Sequence, residues 1–383
     1  MELTQNILEH IDTLASEQLE LLKTLAQIPA PSGKEERRAK FCRDWLHKNG
    51  ASDAYIDEAL NVILPIGVTE NCPLVVFAAH SDVVFPDTTP LPLRTEDEKL
   101  CCPGVGDDTA CVTALLMTAR YIVQNALTPK DCGILIVVDS GEEGLGNLKG
   151  IRQVFSDYAD RIREFIAFDG QSCRCVNKAV GSKRYRVEID TEGGHSYSAF
   201  GNKNAIAYLA AMIAKLYEIQ IPKQGKTTYN VGTVSGGTSV NTIAQHAEML
   251  YEYRSDDRGS LGIMEEKFWA VIETFRAMGI RVNVTTVGDR PCSGDVDAGR
   301  MAALQERAAE ATLRHHGREL QFTSGSTDCN IPLSFGIPAI CAGCYEGKGS
   351  HTREEYIYID SLLPGMKFAF DMILGYFEQR KAR

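Results

Sequence analysis

Residues 74–85 read LVVFAAHSDVVF, an unbroken apolar run from Leu74 to Ala79 that ends on His80 and Asp82. A half-solvated strand would alternate apolar with polar residues, so the run predicts a strand buried on both faces. The same texture recurs in ILIVVD at 134–139, FIAF at 165–168 and PAICA at 338–342. Between the first two runs, TACVTALLMTARYIVQNAL at 109–127 has the length and apolar spacing of a helix packed on a sheet. This alternation predicts an α/β fold built on a mixed sheet. Upstream, the first sixty residues read as helix, loop, helix. Ser32, followed by Glu35 and Glu36 after the IPAPSG turn, marks a helix start, and RRAKFCRDWLHKNG at 37–50 ends on a glycine.

The texture changes near Gly181. YRVEID at 185–190 and AEMLYEYR at 247–254 alternate as half-exposed antiparallel strands do, while NAIAYLAAMIAKLYEI at 204–219 and EEKFWAVIETFRAMGI at 265–280 have helical periodicity. A length of 383 residues favours two domains over one. The expected division is 1–181 for the first part of an α/β domain, 182–291 for an inserted α+β domain, and 292–383 for the rest of the first.

Apolar residues make up 44% of the chain and charged residues 24%, as in ordinary globular proteins, which argues against disorder. A formal net charge of -11 offers no general attraction to nucleic acid or to an anionic membrane. No stretch approaches the roughly 18 apolar residues of a spanning helix. The opening MELTQNILEHIDTLASEQLELL is acidic and amphipathic rather than signal-like, so a cytoplasmic protein is expected. The twelve cysteines are scattered among apolar neighbours and read as reduced, buried thiols; Cys173 with Cys175, and Cys341 with Cys344, lack the second pair of a zinc site.

The residues able to do chemistry follow the apolar runs. His80 and Asp82 lie just past a strand and, two apart on extended backbone, share a face, so Asp82 can orient a metal-binding His80. PGVGDD places Asp107 and Asp108 after a glycine turn, and adjacent carboxylates repel unless a cation or a helix N-terminus separates them. VVDSGEEG ends a strand on Glu142 and Glu143, a pair in which one can bind a metal while the other handles a proton. Asp169 follows FIAF, and His351 sits in the glycine-rich GKGSHTREE loop. A set of His, Asp, Glu, Asp and His suits zinc, with cobalt or manganese as alternatives.

In order, HSD at 80–82, GVGDD at 104–108, GEEG at 141–144, FDG at 168–170, GGHS at 193–196, SVN at 239–241, Arg254, GSTD at 325–328 and GSHT at 349–352 resemble the di-zinc peptidase and deacylase family. That family includes peptidase T, carboxypeptidase G, the aminoacylases, acetylornithine deacetylase and succinyl-diaminopimelate desuccinylase. Two zinc aminopeptidase families share the ligand order. Here 27 positions separate His80 from Asp107, leaving no room for an inserted domain, whereas 182 separate Asp169 from His351.

The resemblance implies a mixed-sheet zinc-peptidase catalytic domain with an inserted lid and dimerisation domain. It implies that His80 and Asp169 hold one divalent metal, that Glu143 and His351 hold the other, and that Asp107 bridges them, with a cis peptide from Asp107 to Asp108. Glu142 would be the general base, supported by Asp82 behind His80. His195 would reach the partner subunit's site in a homodimer and steady the oxyanion, assisted by Asn241. Arg254 would clamp a substrate carboxylate, and Gly325 and Ser326 would run along the substrate. Several relatives have Lys where this chain has Thr109, which blurs assignment to a substrate subgroup.

The function expected is that of a metal-dependent dipeptidase, tripeptidase or exopeptidase, with an N-acyl amino acid deacylase as the alternative on the same site. A catalytically dead relative acting as a binding protein would lack a ligand or the base, and this sequence keeps all of them.

Overall fold

The computed structural model describes residues 3–378. Its chain divides into two compact units, one running to Lys178 and resuming at Asp295, the other Ala179–Gly294.

The first unit is built on an eight-stranded mixed sheet. Its order is Tyr55–Ile56, Val62–Ile66, Gly133–Asp139, Leu74–His80, Ile162–Phe168, Ala339–Ala342, Arg174–Ala179 and Gln321–Gly325. Gly133–Asp139, Leu74–His80, Ile162–Phe168 and Ala339–Ala342 are mutually parallel, and antiparallel strands flank them. Every residue of Leu74–His80 and of Gly133–Asp139 is buried, as the continuous apolar runs require. Because these strands point the same way, the residues that follow them gather at one edge, where open α/β sheets keep their ligand sites. His80 stands in register with Asp139, and Asp169 follows Phe168 directly.

Helix Cys111–Gln124 packs against the Leu74–His80 strand and against helix Leu362–Leu374. A small sheet of Arg94–Glu96, Lys99–Cys101, Tyr356–Tyr358 and Gly347–Lys348 carries the His351 loop between its last two strands. The helix expected to start at Ser32 instead spans Glu36–Lys48, with Glu35 at its N-cap. Ser32 is drawn away because its hydroxyl donates to Asp82 Oδ2 at 2.6 Å.

The second unit has a four-stranded antiparallel sheet, ordered Thr227–Gly236, His246–Ser255, Gly181–Asp190 and Arg281–Arg290, with helices Ala205–Tyr217 and Arg258–Ala277. Alternation along the two inner strands puts Tyr185, Val187 and Ile189 beside Met249, Tyr251 and Tyr253 in one core. Phe268 closes it, stacked on Tyr185 at 4.3 Å between ring centres and on Tyr251 at 5.6 Å. The second helix begins seven residues before the expected Glu265, because the Asp257 side chain accepts the Ser260 N–H at 2.7 Å and caps it. Its glycines, Gly259 and Gly262, hid that first turn.

Candidate active site

Four of the five expected ligands form a continuous chain of contacts in the first unit. His80 Nε2 lies 3.2 Å from Asp107 Oδ1, and His351 Nε2 lies 3.2 Å from Asp107 Oδ2 and 2.8 Å from Glu143 Oε1. The Asp107 carboxylate therefore gives one oxygen to each imidazole. The fifth, Asp169, belongs with His80 and Asp108 to a group whose ligand atoms all lie within 4.8 Å of one another, and His80, Asp107 and Glu143 form a second such group. The peptide from Asp107 to Asp108 is cis.

The supporting contacts explain how the sequence holds this arrangement. His80 Nδ1 lies 3.1 Å from the backbone oxygen of Asp82 and 3.5 Å from its Oδ1, which leaves Nε2 to face Asp107. Asp82 does more than orient an imidazole. Its Oδ1 accepts the Glu142 N–H and its Oδ2 the Glu143 N–H, both at 3.0 Å, so one buried carboxylate fixes the turn carrying both glutamates. Asp108 serves the backbone too: its Oδ2 accepts the His80 N–H at 3.1 Å, so it does not act as the helix N-cap.

No sequence signal marks Glu355, although it lies in the same GSHTREE segment as His351. Its buried carboxylate accepts three backbone N–H groups, from Gly104 at 2.6 Å, Gly106 at 3.0 Å and Asp107 at 2.9 Å. It thereby ties the turn bearing Asp107 to the loop bearing His351. Gly106 must be glycine, since a Cβ there would lie 2.5 Å from the Tyr345 ring. Burial pushes the Glu355 carboxyl up to about 7 against the pull of these donors.

The electrostatics test whether a metal pair fits. Burial lowers the His80 imidazole, yet the Asp107 and Asp82 carboxylates outweigh it and hold His80 well above the usual range. Asp107 and Glu143 raise His351 to about 10. Burial pushes Asp169 well up, and the negative charge of Asp107 pushes it further. Asp139 is raised by burial to about 7, and burial and the charge of Asp139 raise Asp328 as well. Two imidazoles thus stand among carboxyl groups that repel one another, and each imidazole is drawn toward positive charge. Divalent cations would relieve this, and the imidazole and carboxylate donors are the types zinc accepts. The Cys341 thiol adds no separate centre of its own: its Sγ lies 3.6 Å from the Asp169 backbone oxygen and 3.8 Å from Oδ2. All twelve cysteines are free.

Gly325 ends the strand Gln321–Gly325 and Ser326 follows it, while the neighbouring Thr327 lines a cavity of about 290 Å³ together with Asp107 and Asp169. His195, Asn241 and Arg254 belong to the second unit. Strand Gly194–His195 pairs with Thr242–Ile243, and the Asn241 carbonyl accepts the Ser196 N–H at 2.9 Å, so His195 and Asn241 are neighbours. His195 is exposed, and its Nδ1 accepts the Tyr197 N–H at 3.2 Å. The neutral ring accordingly carries its proton on Nε2. Arg254 lies on His246–Ser255, where its Nε and Nη2 each donate to Glu252 at 3.0 Å.

The sequence model described as peptidase family M20/M25/M40 matches residues 76–375. A putative succinyl-diaminopimelate desuccinylase of Mycobacterium tuberculosis is 25% identical over 362 residues, covering 91% of this chain and 96% of that protein. Among solved structures, a tripeptidase from Staphylococcus aureus matches with a TM-score of 0.74 at 22% identity, covering 94% of this chain and 97% of the other. The dipeptidase Dug1p of Saccharomyces cerevisiae matches with a TM-score of 0.73 at 15% identity, over 97% and 98% of the two chains. At those identities the two structures speak for the fold.

Proposed function

The chain belongs to peptidase family M20/M25/M40, and from that membership we propose that it hydrolyses the amide bond of small peptides, as a dipeptidase, tripeptidase or exopeptidase, with Glu142 as general base. The observation that carries the reading is the Asp107 carboxylate, with one oxygen 3.2 Å from each of two imidazoles. His80 and Asp169 would hold one divalent cation and Glu143 and His351 the other, with Asp107 between; zinc suits these donors, and cobalt or manganese are alternatives. Such a pair supplies Lewis acidity to the scissile carbonyl and acidifies a water.

The chain's own residues do the rest. Glu142, buried on its turn, takes the proton of the attacking water and hands it to the leaving nitrogen. Asp82 keeps Glu142 and Glu143 in register by accepting both backbone N–H groups. His195, with its proton on Nε2, is a donor for the developing oxyanion, and Asn241 sits beside it. Arg254 is the clamp for a substrate carboxylate, with Glu252 aligning its guanidinium, and Gly325 and Ser326 border the bound substrate.

We read Ala179–Gly294 as a lid and dimerisation domain, and the protein as a cytoplasmic homodimer. Tyr197, Phe200 and Val240, flanking His195 and Asn241, are 89%, 90% and 102% exposed, an apolar surface that a second copy would cover. Strand Thr227–Gly236, an outer strand of the same unit's sheet, offers an edge for pairing. Twelve free thiols suit a reducing compartment. Light scattering on the active protein tests the dimer, and a fully active monomer would rule out a role for His195 in the partner's site.

A second reading, removal of an acyl group from an N-acyl amino acid, is favoured by the Mycobacterium tuberculosis relative, a putative desuccinylase. Zinc-, cobalt- or manganese-loaded protein assayed on dipeptides, tripeptides, N-acetyl and N-succinyl amino acids separates the two. Glu142→Ala is expected to lose at least about a hundredfold in kcat, the scale of a general base. Normal turnover in that variant would remove Glu142 from the mechanism.

A further inference from the structure

The cavity of about 290 Å³ has Asp107 and Asp169 in its wall, and among the described residues neither Glu142, Glu143 nor His351 lines it. It therefore borders the centre through Asp107 and Asp169 rather than through the turn that carries the glutamates. Its volume suits one amino-acid side chain or a short acyl group, at the lower limit of ligand pockets. Thr323, Thr327 and Gln171 give the wall hydroxyl and amide groups, and Arg174 gives it a cation.

Arg174 begins the strand Arg174–Ala179 and is exposed. Strand alternation puts its side chain on the face of Val176 rather than that of the buried Cys175. Val176 faces the Gly325 turn, since a Cβ on Gly325 would lie 2.7 Å from its Cγ2, and Val176 lines the same cavity. Among the described residues the Arg174 guanidinium enters no ion pair and no hydrogen bond. Other arginines of this unit are engaged: Arg353 with Asp87, Arg307 with Glu164, Arg318 with Glu346. An unengaged guanidinium in a cavity wall is a fork of donors waiting for an oxyanion.

We propose that Arg174 selects substrates with a second carboxylate, either an acidic side chain or a dicarboxylic acyl group, in the part that enters this cavity. The proposal rests on the amide hydrolysis argued above. It concerns a carboxylate other than the one expected at Arg254. Asp107 and Asp169, in the same wall, would repel an anion, and bound divalent cations together with Arg174 reverse that balance.

The test uses the zinc-loaded full chain and matched pairs: dipeptides beginning with Glu against Gln, and N-succinyl against N-succinamoyl amino acids. The two pairs distinguish a side chain from an acyl group. The acid member of one pair should be preferred by about 10- to 100-fold in kcat/KM, the worth of one hydrogen-bonded charge pair. Arg174→Ala should bring the ratio near one, Arg174→Lys should restore part of it, and Arg174→Glu should invert it. Calorimetric titration with glutarate should show binding about tenfold weaker in Arg174→Ala, with thermal melts of all variants unchanged. An acid-to-neutral ratio near one in the unmodified protein, or one unmoved by Arg174→Ala, overturns the proposal. If no substrate turns over, the hydrolytic reading fails separately and the glutarate titration decides alone, equal or absent binding counting against Arg174.

Discussion

Replacing Glu355 by Gln changes little volume and leaves the Gly104–Asp107 turn and the His351 loop otherwise intact, yet it removes the charge that three backbone N–H groups share. Oε2 accepts the Gly104 N–H at 2.6 Å, while Oε1 accepts those of Gly106 at 3.0 Å and Asp107 at 2.9 Å. Glutamine has one carbonyl oxygen. If that oxygen keeps Gly106 and Asp107, the new amide NH2 meets the Gly104 N–H donor to donor. A buried donor left without an acceptor costs about 1–3 kcal/mol, and two bonds turned from charge-assisted to neutral lose about 1 kcal/mol each. The sum is about 3–5 kcal/mol for the ionised carboxylate, offset in part because burial has already pushed this carboxyl up to about 7 and the neutral amide escapes that penalty, and it falls on the turn that aims Asp107 at both imidazoles.

Two readouts separate fold from site. Urea denaturation in excess chelator should show the Glu355→Gln protein less stable, by less than that sum because the amide escapes the burial penalty on the carboxylate. Competition with a zinc-binding dye on the folded variant should show about 10- to 100-fold weaker metal affinity, the usual effect of losing a group that orients a ligand. Glu355→Asp, which keeps the charge but shortens the reach, should fall between. The reasoning fails if Glu355→Gln retains both its urea midpoint and its zinc affinity within twofold.

Three more expectations come from other parts of the chain. Asp82→Asn turns an NH2 toward the Glu142 or Glu143 N–H, so kcat/KM and zinc affinity should each fall at least about tenfold; unchanged values for both would show that the paired bonds do not matter. Phe268→Ala should cost about 3–5 kcal/mol in urea denaturation, since the ring is buried between Tyr185 and Tyr251, and a loss below about 1 kcal/mol would mean that the stack contributes little. Burial and the nearby Arg318 and His315 charges pull His316 down to about 4, whereas in the unfolded chain an imidazole titrates at about 6.5. The unfolded state thus binds the proton first, so stability is full above pH 6.5 and declines toward pH 4. After discounting for solvent at this half-buried ring the loss is about 1–2 kcal/mol, and His316→Phe should flatten that slope; the same slope in both proteins would exclude His316 as its source.

The main sheet is legible in the sequence because its central strands are parallel and covered on both faces, which forces unbroken apolar runs such as those ending at Ala79 and Val138. Each run then delivers its chemistry to the same edge, so His80 and Asp169 were legible as strand-end residues. Strands Thr227–Gly236 and Arg281–Arg290 gave no such signal. They are the outer strands of their sheet and most of their residues are exposed or half-buried, so neither apolar continuity nor clean alternation marks them.

The contacts that escape sequence reading share a physical cause. Ser32, Asp82 and Glu355 act on groups that a sequence does not display: Ser32 on a carboxylate fifty positions away, Asp82 on the N–H groups of Glu142 and Glu143, Glu355 on those of Gly104, Gly106 and Asp107. Asp82 was legible as the orienter of His80, but its larger task is to hold the turn carrying the glutamates. A ligand needs a particular side chain, so its type betrays it; a backbone N–H needs only some buried oxygen, and any carboxylate of suitable reach will do. The positions that aim the imidazoles and carboxylates are therefore less visible than those side chains themselves, although the Asp107 contacts to His80 and His351 depend on the Gly104–Asp107 turn staying where Glu355 holds it.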